Sequence, residues 1–201
     1  MAYSNFTLAT VREKFKLETF RSVGSFSEIE PVTPSAELTK VLPRKVALAA
    51  AIGTEKARSE LIVADVMFEL YEHFNERISL FSGVEFNIDV EQDLTGVCDF
   101  IVSLSPEQFY IEAPVIVLVE VKKEDPVQGF GQCVAEMIAA QRFNAEKGND
   151  IACVYGVATT GTEWKFLKLE GNQLQLDMAI YSIAQCDKIL GILSSMVKQK
   201  A

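Results

Sequence analysis

The chain has 201 residues, long enough for one well-buried core, with 49% hydrophobic and 23% charged residues, the balance of an ordinary globular domain. No apolar run reaches the ~18–20 residues that a bilayer-spanning helix needs, and MAYSNFTLATVREKF lacks the layout of a secretory leader, so a cytoplasmic protein without membrane partners is the expectation. A formal charge of -9 argues against tight non-specific binding of nucleic acid, although a local basic strip can act within an acidic protein.

Residues 1–53 read as a helical N-terminal extension. Leu8, Val11 and Phe15 recur at helical spacing, with Thr10 and Glu13 as a capping pair, and Pro31, Pro34 and Pro43 cut the remainder into short pieces. A second unit, 54–201, opens with a long helix capped by Thr54, running to about Asn75 without Gly or Pro. Leu61, Ala64, Met67, Phe68 and Tyr71 form its expected core stripe, with Glu60 beside it.

Strand character follows in 79–90 and 97–104. VIVLVEVKK, 115–123, is almost continuously β-branched, as a central strand buried on both faces should be. A helix carrying Gln132 ends near Gly148, 151–160 is another buried strand, a hairpin turns at Gly171-Asn172, and 183–199 form an amphipathic helix. The sum is an α/β protein, a mixed sheet flanked by helices in three layers. The four cysteines contain no CxxC pair and His73 is the sole histidine, so buried free thiols are expected in place of a zinc site.

The informative residues are charges in an apolar setting. Alternation along 115–123 puts Val115, Val117, Val119 and Val121 on one face and Ile116, Leu118, Glu120 and Lys122 on the other. Glu120 and Lys122 then lie side by side, roughly 6–7 Å apart along the strand, where desolvation is costly unless they are paired or bound to metal. Asp99 repeats the anomaly one strand earlier. Phosphodiester hydrolysis uses such a set: carboxylates to hold magnesium, a metal-bound water, and a lysine to offset charge on the phosphoryl oxygens. In this reading Asp99, Glu120 and Glu60 are metal ligands and Lys122 orients water. Lys123 points to the opposite face.

The blander readings are an edge salt bridge for Glu120–Lys122, a strand carboxylate bonded to loop amides for Asp99, and a solvated first-turn acid for Glu60. Glu124 and Asp125 read as loop charges, and Trp164 with Lys165 and Lys168 as hairpin packing or as a clasp on a nucleic acid strand. An unrelated hydrolase fold would call for a Gly-rich phosphate loop or a histidine cluster, and neither is in the sequence.

The run GVCDFI, the 21 residues from Asp99 to Glu120, EVK at a strand end, and a following helix with Gln132 resemble the PD-(D/E)XK nuclease superfamily over about 54–160. TEKARSELIVADVMFEL is similar to the opening helix of the nuclease domain of type I restriction subunits. YSNFTL, SLFSGVEFN and GQCVAEMIAAQ are similar to segments of cyanobacterial proteins with this core. The resemblance implies a restriction-endonuclease-like fold and a nuclease dependent on Mg²⁺, for which Mn²⁺ can substitute. It also implies a nucleic acid substrate, DNA more than RNA, and a homodimer, with Gln132 added to the site. A non-catalytic module for nucleic-acid or protein binding is the alternative. Cys98 stands in place of the family's proline, and position 136, often tyrosine in RecB-like members, is glutamate. Gln132 therefore reads either as a site residue or as a structural bridge to Lys122.

Overall fold

The computed structural model describes residues 2–149 and 151–199. Its centre is an open, mixed eight-stranded sheet. Strands β2 (Ser79–Glu85), β3 (Val97–Ser103) and β4 (Val115–Val121) pair with one another antiparallel, in that order. Helix α5 (Phe130–Glu146) then carries the chain back to β5 (Val154–Thr159), which lies parallel to β4. β6 (Glu163–Glu170) and β7 (Gln173–Asp177) continue antiparallel, and the two-residue β8 (Tyr181–Ser182) pairs with β6.

Apolar clusters cover both faces of the sheet. Ile62, Met67, Val117, Val119 and Ile189 belong to the first, to which α4 (Ala64–His73) and α6 (Cys186–Val197) contribute. Ile101, Leu118, Cys133 and Met137 belong to the second, under α5. All seven residues of β4 are buried, as expected for a β-branched central strand. Its facing differs from strict alternation at one end: Val115 joins the α5 side and Ile116 the opposite side. The cause is a register shift against β3 at Val102/Ser103, because an irregular pairing step reverses the facing of what lies beyond it. From Val117 onward the expected facing holds.

The N-terminal 53 residues are more than a helical extension. α1 (Leu8–Phe15) and α2 (Ala36–Ile52) are present, but Glu18–Ser22 form β1, which pairs in parallel with β7 and makes one edge of the sheet. The α1 cap is Thr7 with Thr10, not Thr10 with Glu13: the Thr7 hydroxyl accepts from Thr10 N at 3.2 Å and Thr10 Oγ1 accepts from Thr7 N at 2.9 Å. Pro43 does not break the chain but sits inside α2, where only one intrahelical donor is lost.

The long helix after Thr54 is interrupted. α3 (Glu55–Arg58), capped by the Thr54 hydroxyl, passes through a π turn at Ser59–Val63 into α4. Within that turn Ala64 N donates to Ser59 O, an i→i+5 bond that widens the turn and lowers the rotation per residue. The buried face therefore shifts to Ile62, Val63, Val66, Met67 and Leu70, while Phe68, expected inside, is 57% exposed. Trp164 is fully enclosed and donates to Gly161 O, and Lys165 is buried on Met178 O, so the hairpin is a packing element and offers no nucleic-acid clasp.

The N-terminal chain is locked onto the α5 side. Buried Tyr3 donates its hydroxyl to Phe86 O at 2.6 Å, and a Cβ on Gly131 would lie 2.6 Å from Thr7 Cα. Backbone cannot yield there as a flexible side chain could, so Gly131→Ala should cost about 1–3 kcal/mol. Urea denaturation should show that loss as a lower midpoint at unchanged slope.

Candidate functional site

The candidate site forms where β4 ends beside β5 and α5 begins. In an open α/β sheet the crevice outside the carboxyl ends of parallel strands is left uncovered by the connecting helices. β4 and β5 are such a pair, and Lys122 N donates to Thr159 O at 2.8 Å just past their ends.

Asp99 and Glu120 come together through strand register. Phe100 pairs with Val119, so Asp99 and Glu120 are the next facing positions, and Asp99 Oδ2 accepts from Val121 N at 2.8 Å. Asp99 is half-buried, whereas Glu120 is 2% exposed. On the flank of Asp99 lies Gly83, which falls between the paired positions Ser82↔Phe100 and Val84↔Cys98. Its φ of +63° favours glycine, and a Cβ there would meet nothing within 4 Å, so β2 places no side chain at the position paired with Asp99.

Lys122 Nζ donates to Glu120 Oε1 and, at 3.3 Å, to Gln132 Oε1. Gln132 Nε2 donates to Glu120 Oε2 at 2.8 Å and to Glu136 Oε1 at 3.1 Å. Gln132 reaches the cluster because α5 starts immediately after a short 3₁₀ turn, Pro126–Gly129, which folds back over the strand end. Gly129 permits that approach, since a Cβ there would stand 3.1 Å from Glu120 Cγ and 3.2 Å from Lys122 Cγ. Asp125 caps the turn by accepting from Val127 N and Glu124 is exposed, so these two are loop charges as expected, and Lys123 is exposed beside Glu124.

Of the five sequence-expected residues, Glu120, Lys122 and Gln132 share one hydrogen-bond network, and Asp99, held by Val121 N, lies beside it on β3. Glu60 is the exception. Its side chain is 63% exposed and pairs with Lys56 at 3.5 Å. The π turn explains the difference: the face begun by Ala57 continues at Ile62, which leaves Glu60 outside it. Glu55 is instead the helix acid whose charge acts on Asp99, Glu120 and Lys122. Arg58 Nη1, donating to Thr160 O at 3.0 Å, ties this helix start to the end of β5.

The residue that sequence reasoning did not place in the site is Glu136. It is fully buried, and its Oε2 has no hydrogen-bond partner among the described residues. The available signal was its position four residues after Gln132, which puts both on one helix face.

Electrostatics follow from three carboxyl groups around one ammonium. Burial pushes Asp99 up, against the Val121 N–H and Lys122, which lower it. Glu120 is pushed up to about 8 by burial and then by Asp99, with Lys122 opposing. Glu136 is raised well above the carboxylate range by burial and by Glu120. Burial presses Lys122 down, but Glu120, Glu55 and Asp99 more than offset this and leave it raised.

The blander Glu120–Lys122 pair is present too, whereas Asp99 is bonded to the amide of Val121 at the end of β4 and not to loop amides. Among the described residues no three His, Cys, Asp or Glu side chains are grouped to hold a metal ion. The four cysteines are free and buried, and no helix among the described residues is long and apolar enough to cross a membrane. No protein-family model, curated protein or solved structure matches the chain.

A carboxyl raised on folding takes up its proton more readily in the native state. Its stabilising contribution is then full below about pH 4.3 and is lost as pH rises toward the folded value. For Glu120 the window runs up to about 8. Stability from urea midpoints should therefore fall between pH 5 and pH 8, by at most about 1.4 kcal/mol per unit from this group. Glu120→Gln should make the profile shallower; equal slopes in the two proteins would contradict the assignment.

Proposed function

We propose that this protein is a metal-dependent nuclease hydrolysing phosphodiester bonds in nucleic acid, DNA more than RNA, with Asp99, Glu120 and Lys122 at its centre. The observation that carries the reading is the surplus of carboxyl groups over cations at the open end of a buried strand. Asp99, Glu120 and Glu136 are clustered near one ammonium among the described residues, that of Lys122, which of these three acids is bonded to Glu120 alone, and such an excess is relieved either by protons or by a further cation. The order α3/α4, β2, β3, β4, α5, β5 supports it as well, since that is the element order of a restriction-endonuclease-like core.

Asp99 and Glu120 are the residues that would hold Mg²⁺ or Mn²⁺. Magnesium sites commonly take one or two carboxylates and complete their shell with water and substrate oxygens, so two facing carboxylates, one half-open to solvent, fit that minimum. The ion when bound supplies charge stabilisation at the scissile phosphate and a more acidic water. Lys122 places a positive charge within reach of the same centre and offsets charge developing on the phosphoryl oxygens. Gln132 keeps Lys122 and Glu120 in register by bonding to both.

The -9 charge favours the second reading, a non-catalytic module of the same architecture. Incubation with plasmid and Mg²⁺ or Mn²⁺ separates the two. Asp99→Asn, Glu120→Gln and Lys122→Met should each lower cleavage at least about 100-fold, whereas Lys123→Met should leave it unchanged. Calorimetry should show Mn²⁺ binding that strengthens from pH 6 to pH 8, as a proton leaves Glu120, and that disappears in Asp99→Asn. Wild-type protein that binds DNA but neither cuts it nor takes up Mn²⁺ establishes the module. A homodimer belongs to the nuclease reading, and light scattering that returns a monomer removes it.

A further inference from the structure

Glu136 takes no part in the chemistry proposed above, yet it is the most completely enclosed acid of the cluster. It lies on α5 one turn after Gln132, at 0% exposure, on the helix face that carries Gln132. Of its two oxygens only Oε1 has a hydrogen-bond partner among the described residues, and that partner is Gln132 Nε2 at 3.1 Å.

The geometry points to Glu136 as the positioning residue that fixes the side-chain amide of Gln132, and through it the Glu120–Lys122 pair. This rests on the nuclease reading for its consequence but not for the contact itself. A glutamine amide has two ends of opposite character, and its rotation by a half-turn changes every bond it makes. Here Nε2 lies between two carboxyl oxygens, those of Glu120 and Glu136, and Oε1 faces the Lys122 ammonium. The reversed amide would set a carbonyl oxygen against both acids and an NH₂ against an ammonium. Glu120 alone could hold the NH₂, but Glu120 is also the group that must move its bonds when a cation binds. Glu136, enclosed and away from the opening, supplies an acceptor that stays.

The contact does not require a charged Glu136. A neutral acid with its proton on Oε2 still accepts through Oε1, and a buried carboxyl with one unpartnered oxygen costs less neutral than charged. Burial and Glu120 both favour that form. Glutamine at 136 keeps an acceptor of the same shape, and methionine keeps the volume while removing it.

Two measurements on the full chain test this. In amide NMR the Gln132 NH₂ signals should be slow to exchange with solvent in the wild type and in Glu136→Gln, and should lose that protection in Glu136→Met. In plasmid cleavage Glu136→Met should lose about 10–100-fold, the usual effect of removing a partner that orients a ligand, while Glu136→Gln keeps most of the activity. Glu136→Met added to Gln132→Met should bring no further loss, because both act through one amide. The inference is overturned by unchanged Gln132 protection in Glu136→Met, by equal losses in the Gln and Met variants, or by losses that multiply in the double variant. Urea midpoints confirm that each variant is folded. Loss of protection in Glu136→Met alone, with no cleavage by any protein, upholds the positioning role and refutes the nuclease.

Discussion

The constraint on which the rest depends is the burial of charge at the end of β4. A carboxylate removed from water without compensation is held only as a neutral acid or beside a cation. Glu120 is 2% exposed with Asp99 as its neighbour on β3, and among the described residues the single amine within bonding reach is that of Lys122. A strand end occupied by valine would have no such demand. That the sheet keeps an under-compensated cluster in this place is the physical reason to connect it with a ligand of positive charge.

The surrounding architecture serves this cluster from three sides. The antiparallel β3–β4 register sets Asp99 opposite Glu120 and lends the Val121 N–H to Asp99. The turn ending at Gly129 brings α5 down over the strand, so that Gln132 and Glu136 reach the acids. The π turn after α3 keeps Ile62 and Val63 in the core and leaves Glu60 exposed. The N-terminal chain closes the outer side of α5, with Tyr3 bonded to the loop between β2 and β3. Movement of α5 would therefore disturb the amide of Gln132 and the N-terminal anchor together.

Strand positions were the legible part of the site. In a β-strand the facing of a side chain depends only on its parity, so Asp99, Glu120 and Lys122 stood out as charges on an apolar face. Helical positions were less so. A single i→i+5 bond decides that Ile62 and Val63 face the core and that Glu60 does not. α5 is apolar on almost every side, so its pattern does not single out the face that carries Gln132 and Glu136. Strand β1 carries no local mark either, because its partner β7 lies some 150 residues later in the chain.

Local chemistry settled the identity and order of the main elements: β-branched runs became strands, Thr54 capped a helix, Gly171-Asn172 turned a hairpin, and the cysteines stayed buried and free. These follow from periodicity and turn geometry over a few residues. Packing alone decided that Glu18–Ser22 join the sheet, that Trp164 is enclosed, that Glu60 stays outside the cluster, and that Glu136 is buried beside Gln132. Each of those depends on contacts between distant segments, whose energies outweigh the weak preferences of any short stretch of chain.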